Sequence, residues 1–243
     1  MFDRGIPRPE IEVGVRTSLA SVEDLLRRAT VRSRDNDSVV ASATELIAED
    51  LLALSGRDPA AHGDPWYCYH SSSSFAAVAA HRVAHALLGL RSGVEEPGRR
   101  DRLIACAARR ISEDAKVRTG VEIHPAACIG RRIVVDHGWG TVIGEHTRIG
   151  DDCYFLQNVV LGSRNIGRQC AQGKRRHPTV GDRVVIAGDV YVFGAVTIGD
   201  DCFLEAGARI TEDVPGGTRV RVVAKLQLTE HTSTPRSVAV LSP

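Results

Sequence analysis

The stretch that decides the fold runs from Val121 to Val214, and within it residues 179–210 read TVGDRVVIAGDVYVFGAVTIGDDCFLEAGARI. Apart from two breaks, a large aliphatic or aromatic residue recurs every six positions. The recurring residues are Ile123, Ile129, Val135, Ile143, Ile149, Phe155, Leu161, Val180, Ile186, Val192, Ile198, Leu204 and Ile210. A hexapeptide period predicts a parallel β-helix, in which each coil stacks on the previous one.

The spacing of small residues supports the same fold. A small or β-branched residue usually follows each large one four places later, so two positions in every six face inward. With three strands in each coil, the repeat fills about four coils. A sandwich of short strands is the alternative, but sandwich strands do not hold a six-residue register over so long a stretch.

The count of six fails at two places, and both are rich in functional groups. Two extra residues fall within the first break, Asp136–Gly140. A longer insertion lies between Leu161 and Val180 and ends in GKRRHP at residues 173–178. Insertions in a solenoid form loops, often on the binding face, so these breaks are predicted to carry the functional site.

Composition and charge argue against several functional classes. The 243 residues carry a net charge of +1, which favours neither nucleic acid nor a membrane surface as a partner. No run reaches the roughly eighteen apolar residues of a membrane span, and the N-terminus lacks the apolar core of a signal peptide. The six cysteines have no paired spacing, and Cys153 and Cys202 fall on inward repeat positions. A cytoplasmic location is therefore expected.

The part of the chain before the repeat is predicted to be helical. Apolar residues recur at helical spacing over four segments, residues 19–31, 39–54, 73–90 and 99–112. We expect a helical domain over residues 1–115, a β-helix over 116–225 and a C-terminal tail over 226–243. Because the ends of a β-helix need covering, the helices are expected to cap one end or to carry a subunit interface.

The first break carries a candidate general base. His137 follows Asp136, and Glu122 lies fifteen residues before His137, nearly one coil back. Stacked coils are about 4.8 Å apart, so a glutamate can reach an imidazole on the next coil. Its carboxylate would fix the tautomer of the imidazole and stabilise the imidazolium during proton abstraction. A histidine on a solvated loop is the alternative.

The second break carries a candidate binding site for an acidic group. Arg176 and His177 follow two further basic residues. The arginine fork matches the two oxygens of a carboxylate. A solvated basic loop is the alternative.

Taken together, the motifs resemble those of serine acetyltransferases, which are hexapeptide-repeat acyltransferases. The resemblance covers residues 40–225 approximately and rests on Arg57-Asp58-Pro59, Glu122-Ile123-His124-Pro125, Asp136-His137-Gly138, Val142-Ile143-Gly144-Glu145, Leu161-Gly162 and Arg176-His177-Pro178. It implies a left-handed parallel β-helix behind a helical domain. It also implies homotrimers with active sites between subunits, some paired as dimers of trimers. The implied reaction forms O-acetyl-L-serine from L-serine and acetyl-CoA in cysteine biosynthesis, without a metal.

The resemblance assigns roles to the residues at the first break. His137 matches the catalytic base, and Glu122 stands where the family has the aspartate that partners it. Asp58 and Asp136 match the two carboxylates that hold the ammonium group of the substrate.

The same resemblance assigns the remaining site residues. Arg176 and His177 match residues around the substrate carboxylate. The residues assigned to acetyl-CoA are Gly162, Ala187, Gly188, Ala206 and Lys225.

The sequence departs from the family pattern at four points, one of which is the missing Gly-x-Pro-Ala signature near the end, where residues 221–225 read RVVAK. Glu122 is one methylene longer than the aspartate, and Asp189 places a charge beside the predicted acetyl-CoA residues. The chain ends in LSP and lacks the terminal isoleucine with which the family docks onto cysteine synthase. We therefore do not expect docking onto that enzyme.

Three alternative functions fit parts of the pattern. The first is a specialised acyltransferase acting on an amine or hydrazine nitrogen of an amino-acid-like acceptor. The second is an inactive binding protein. The third is a zinc enzyme similar to γ-carbonic anhydrase, with histidine ligands at subunit interfaces drawn from His124, His137, His146 and His177. The helical domain and the Arg-His-Pro loop belong to the acetyltransferase pattern rather than to the zinc enzymes.

Overall fold

The structure, a computed structural model, describes residues 5–94, 97–164 and 175–223. Its first half is helical, as predicted. The helices are α1 (Arg8–Ala20), α2 (Glu23–Arg28), α3 (Ser33–Arg57), α4 (Pro65–Ser71), α5 (Ser73–Leu88) and α6 (Arg99–Thr119), with a 3-10 helix at Pro59–Ala61. None of the helices in the described ranges is both long and apolar enough to cross a bilayer. The predicted tail and Lys225 lie outside the described residues.

Helix caps explain where the bounds differ from those predicted. Helix α3 begins at Ser33, ahead of the predicted start, because the Asp35 carboxylate accepts a hydrogen bond from the Arg32 backbone nitrogen at 3.1 Å. Helix α4 lies in a segment without a predicted helix, and the Asp64 side chain caps it. Helix α6 continues to Thr119, beyond residue 112, and ends at Gly120, whose φ is +70°.

The second half of the described chain is a left-handed parallel β-helix, as predicted. Its strands are β1 (Glu122–Ile123), β2 (Cys128–Ile129), β3 (Val134–Val135), β4 (Val142–Ile143), β5 (Arg148–Ile149), β6 (Tyr154–Phe155), β7 (Val160–Gly162), β8 (Thr179–Val180), β9 (Val185–Ile186), β10 (Tyr191–Phe193), β11 (Thr197–Ile198), β12 (Phe203–Leu204), β13 (Arg209–Ile210) and β14 (Arg219–Val220). Sheet A stacks β1-β4-β7-β10-β13, sheet B stacks β2-β5-β8-β11, and sheet C stacks β3-β6-β9-β12-β14. Each coil therefore has a triangular cross-section.

The predicted inward positions form the core of the β-helix. Phe155, Leu161 and Ile186 have no exposed surface. Cys153 and Cys202 are also buried and are free thiols, which confirms that they fill small core positions. The helical half has its own apolar core.

Each coil turns at three corners, which we name by the sheets they join. At the B–C corner, Arg132, Asp152, Arg183 and Asp201 stack, and their φ angles lie between +56° and +59°. Opposite charges pair along this column, with 2.7 Å from Arg132 Nε to Asp152 Oδ1 and 2.7 Å from Arg183 Nε to Asp201 Oδ1. These pairs are partly exposed, so each offsets at most a part of the cost of the left-handed backbone at this corner.

The two breaks in the repeat lie at different corners. The first falls between β3 and β4, at the C–A corner, and the second between β7 and β8, at the A–B corner. The full width of sheet A separates them. The breaks therefore do not form one continuous surface within a chain, which the sequence count did not reveal.

A buried ion pair joins the helical half to the first coil. Arg82 on α5 donates to both oxygens of Asp50 on α3, at 2.8 and 3.0 Å, and to the carbonyl oxygen of Ile129 at 2.7 Å. Asp50 also accepts from the Ile133 backbone nitrogen at 3.0 Å. The two side chains are 2% and 0% exposed. This network fixes α3 and α5 against the β-helix.

Candidate active site

The first break places His137 on an exposed turn of the C–A corner. Its side chain is 73% exposed, and its φ is +58°. The next residue, Gly138, also has positive φ and packs so closely on Ser74 and Val121 that a Cβ atom would lie 2.7 Å and 2.9 Å from their side chains. The start of α5 and the first coil therefore hold the turn that presents the imidazole.

Asp136, beside His137, has a mostly buried carboxylate that accepts hydrogen bonds from two neighbouring groups. Its Oδ1 accepts from the His137 backbone nitrogen at 2.8 Å, and its Oδ2 accepts from the Tyr154 hydroxyl at 2.6 Å. Burial, followed by this hydrogen bond, raises the pKa of Tyr154 well above its ordinary value. Tyr154 is therefore a neutral donor that fixes the carboxylate.

Asp58 lies in the same neighbourhood, at the C-terminal end of α3. Its Oδ1 accepts from the Ala60 backbone nitrogen at 2.8 Å and caps the 3-10 helix. The preceding Arg57 donates to the carbonyl oxygen of Asp152 at 3.0 Å, which ties this end of α3 to the coil that carries Tyr154. The charge of Asp58 also contributes to the raised pKa of Tyr154. The charges of both predicted ammonium carboxylates therefore act on Tyr154.

Glu122 is held by helix α6. Its oxygens lie 2.5 Å from Lys116 Nζ and 3.3 Å from Arg109 Nη2. Burial acts to raise the pKa of Glu122, but these two cations outweigh it and keep that pKa below its ordinary value. Among its hydrogen bonds and ion pairs within the described ranges, none reaches His137.

Arg176 and His177 lie at the A–B corner with Glu145 and His146. Arg176 Nη2 is 3.0 Å from Glu145 Oε2, and the His146 backbone nitrogen donates to His177 Nδ1 at 3.2 Å. Burial, followed by the charges of Arg176 and His146, lowers the pKa of His177 to about 4. A neutral His177 that accepts at Nδ1 carries its proton on Nε2 and is a hydrogen-bond donor there.

The A–B corner also offers room beside these groups. A hollow of about 330 Å³ borders Glu145, His146 and Arg148. Gly144 lies directly under the ring of His177, where a Cβ atom would come within 2.1 Å of Cδ2. Only glycine therefore lets the imidazole pack at this corner.

Three of the predicted acetyl-CoA residues share the corner of His137. Ala187 and Gly188 follow β9, and Ala206 follows β12, so they lie two and three coils beyond Asp136. At about 4.8 Å per coil, this column extends roughly 10–14 Å from the imidazole turn. Gly162 instead lies at the other edge of sheet A, paired with Phe193.

Asp189, the charged residue that departs from the family pattern, lies in this column and is hydrogen-bonded within the chain. Its φ is +62°, a backbone conformation in which aspartate is more readily accepted than most residues. Its Oδ1 accepts from Asn158 Nδ2 on the preceding coil at 2.7 Å. The hydrogen bond directs the carboxylate along the corner and onto the coil before it.

Within one chain, the four histidines of the zinc alternative lie at two different corners. His124, His146 and His177 lie at the A–B corner, and His137 lies at the C–A corner. Within the described ranges, no three His, Cys, Asp or Glu side chains form a group that could hold a metal ion.

Tyr154 is the site residue that the sequence reasoning missed. It occupies an outward position of a regular strand, next to the inward Phe155, and its hexapeptide position looks ordinary. The strand register could have indicated its role. Tyr154 pairs with Val134, which lies two residues before Asp136, so the outward Tyr154 side chain reaches the same corner as Asp136.

The fold and these two corners define a left-handed β-helix protein with a helical N-terminal half and an exposed histidine beside the carboxylate of Asp136. The chain is 40% identical over 169 residues to a serine acetyltransferase of Helicobacter pylori, covering 69% of this chain and 88% of the relative. No family model matches the chain. This protein belongs to the serine acetyltransferase family.

Solved structures agree with the family. Serine acetyltransferase isoform 3 of Entamoeba histolytica, solved with cysteine, has a TM-score of 0.68 and 28% identity, covering 89% of this chain and 72% of that one. The Neisseria gonorrhoeae serine acetyltransferase, solved with serine, has a TM-score of 0.65 and 27% identity, covering 78% and 72%.

Proposed function

We propose that this protein transfers the acetyl group of acetyl-CoA to the hydroxyl of L-serine. The observation that carries the proposal is the C–A corner, where the exposed imidazole of His137 lies 4.0 Å from the carboxylate of Asp136, which is hydrogen-bonded to the His137 backbone and to Tyr154. A base beside an ammonium site is what activation of an amino-acid hydroxyl requires. The relatives named above, one of them solved with serine, support the choice of acceptor.

The acceptor is proposed to bind by its two charged ends. Asp58 and Asp136 hold the ammonium group, and Arg176 and His177 hold the carboxylate. Arg176 supplies charge, and His177 supplies a neutral N–H donor, in line with its lowered pKa. Binding at both ends leaves the hydroxyl to face His137.

Within one chain, the two proposed binding sites are too far apart to hold both charged ends of one small acceptor. The residues proposed to bind the substrate's ammonium group lie at the C–A corner. Those proposed to bind its carboxylate lie at the A–B corner, and sheet A separates the two. We infer that the C–A corner of one copy faces the A–B corner of the next. Such a head-to-tail contact closes into a ring when the rotation permits, and a homotrimer suits a triangular coil. Pairing of trimers through the helical halves remains a prediction.

The proposed transfer is direct. His137 takes the proton from the serine hydroxyl as its oxygen attacks the thioester carbonyl carbon. The carbon–sulfur bond then breaks, and the imidazolium returns the proton to the departing thiolate. The products are O-acetyl-L-serine and free CoA, and His137 ends in its starting form.

We propose that the thioester arm runs along the C–A corner over Ala187, Gly188 and Ala206. Ala187 is partly exposed and Ala206 is exposed, whereas Gly188 is buried under the Gln157 side chain. The Asp189 carboxylate accepts a hydrogen bond from Asn158. Gly162, at the other edge of sheet A, would meet the arm from the neighbouring copy. Lys225 keeps its predicted role in binding acetyl-CoA.

The predicted partnership between Glu122 and His137 stays a prediction. Glu122 begins β1, and the turn of His137 leads into β4, the strand stacked on β1 about 4.8 Å away, which is within reach of a glutamate side chain. The carboxylate would have to leave Lys116 and Arg109 to make it. In their present arrangement, Asp136 is the nearer carboxylate, with Oδ1 at 4.0 Å from His137 Nδ1.

Mixed oligomers test the proposed function and its shared site together. We expect His137→Asn and Arg176→Glu to be nearly inactive when each is expressed alone. When the two differently tagged variants are co-expressed and purified as mixed trimers, each trimer has one interface in about three that combines two intact corners. Formation of O-acetyl-L-serine should therefore recover to about a third of the wild-type rate. A mixture no more active than either variant would contradict the shared site.

A further inference from the structure

Tyr154 brings a third polar group to the proposed ammonium site. It lies on β6, where it is paired with Val134 of β3, and its side chain points outward against the core of the helical half. Its hydroxyl is 2.6 Å from Asp136 Oδ2. The end of α3 that carries Asp58 is tied to the same coil through Arg57 and Asp152.

The hydrogen bonds at the two carboxylates show how an ammonium group could be held. Asp136 accepts from the His137 backbone nitrogen and from Tyr154, and Asp58 accepts from the Ala60 backbone nitrogen. Each carboxylate oxygen has two lone pairs, so both groups keep capacity for a ligand. The Tyr154 oxygen gives its hydrogen to Asp136 and keeps lone pairs that can accept in turn.

A primary ammonium group has three N–H donors. The two carboxylates can each accept a hydrogen bond from one N–H group. A third acceptor is needed to replace the remaining water contact of the cation. We propose that the Tyr154 hydroxyl oxygen is this third acceptor and that it completes the ammonium site of the acceptor together with Asp58 and Asp136. The inference rests on the proposed function, which it extends to how the acceptor is selected.

The arrangement has a consequence for selectivity. Tyr154 is neutral and donates to Asp136, so the carboxylate is already oriented when the acceptor arrives. With all three N–H groups engaged, a primary amine is favoured, and an acceptor with an alkylated nitrogen or without the amine loses a partner.

The Tyr154→Phe variant tests this assignment, because it removes only the hydroxyl. We expect the KM for L-serine to rise about tenfold, the size of one hydrogen bond to a charged group. The KM for acetyl-CoA and the kcat should change by less than about threefold. With 3-hydroxypropanoate, which lacks the amine, wild type and variant should have equal kcat/KM.

Tyr69→Phe is the matched control. Its hydroxyl donates to the Glu10 carbonyl oxygen at 2.8 Å within the helical half, and its loss should leave both acceptors unaffected. An unchanged serine KM in Tyr154→Phe would overturn the proposal. So would an equal loss of kcat/KM with serine and with 3-hydroxypropanoate.

Calorimetric titration with L-serine separates this inference from the proposed function. If wild type binds serine without acetylating it, the proposed function fails, and weaker binding by Tyr154→Phe would still support the ammonium site. If wild type does not bind serine at all, both fail. Equal serine affinity in wild type and Tyr154→Phe overturns the role of Tyr154 alone.

Discussion

Replacing His137 with asparagine is expected to lower the kcat of acetyl transfer by about 10²–10⁴-fold, the usual contribution of a general base. Asparagine accepts the left-handed backbone of this turn, where φ is +58°. The corner therefore keeps its shape while the imidazole is lost. Steady-state rates at saturating L-serine and acetyl-CoA measure the effect.

Binding of CoA should survive this substitution. The proposed acetyl-CoA residues lie two and three coils from the turn, so the calorimetric Kd for CoA should stay within about threefold of wild type. His70→Asn is the control, because His70 is an exposed histidine of the helical half that packs on Trp66 and Tyr69. A His137→Asn enzyme that retains its kcat would place the base elsewhere.

Replacing Arg82 with methionine is expected to destabilise the fold by about 3–5 kcal/mol, the cost of leaving a buried charge without its partner. Asp50 would keep only the Ile133 backbone nitrogen among its three donors. Urea unfolding followed by tryptophan fluorescence measures the change in the free energy of unfolding.

Two variants show whether the unpaired carboxylate is the cause. Arg183→Met removes an exposed arginine paired with Asp201, and it should cost less than about 1 kcal/mol. Adding Asp50→Leu to Arg82→Met removes the stranded charge and should recover much of the loss. An Arg82→Met protein within about 1 kcal/mol of wild type would show that the ion pair does not hold the two halves together.

The β-helix could be predicted from the sequence because its signal is local and repeated. The inward residues recur at a fixed interval, and each confirmed position, such as Phe155 or Leu161, is buried for the same reason as its neighbours. The helical half was harder, because caps decide where helices begin. Asp35 and Asp64 act through hydrogen bonds to nearby backbone nitrogens, which apolar spacing does not register.

The site was only partly predictable, because its geometry depends on which corner each insertion reaches. Asp58 and Asp136 are 78 residues apart in the chain, yet the charges of both contribute to the raised pKa of Tyr154. The surroundings of Glu122 depend on α6 continuing past the predicted end, which brings Lys116 to its carboxylate. The role of Tyr154 was not predicted because its side chain is on the outward face of a strand that follows the regular repeat.

The choice of acceptor tests the central claim most directly. Wild-type enzyme with acetyl-CoA should be assayed against L-serine, L-2,3-diaminopropanoate and an amino acid bearing a hydrazine nitrogen, with the products identified by mass spectrometry. Diaminopropanoate is the closest comparison, because it places an amine where serine has its hydroxyl and keeps both charged ends. We predict the highest kcat/KM for L-serine, with O-acetyl-L-serine as the product. A higher kcat/KM for either nitrogen acceptor, or release of CoA with none of them, would contradict the proposed function.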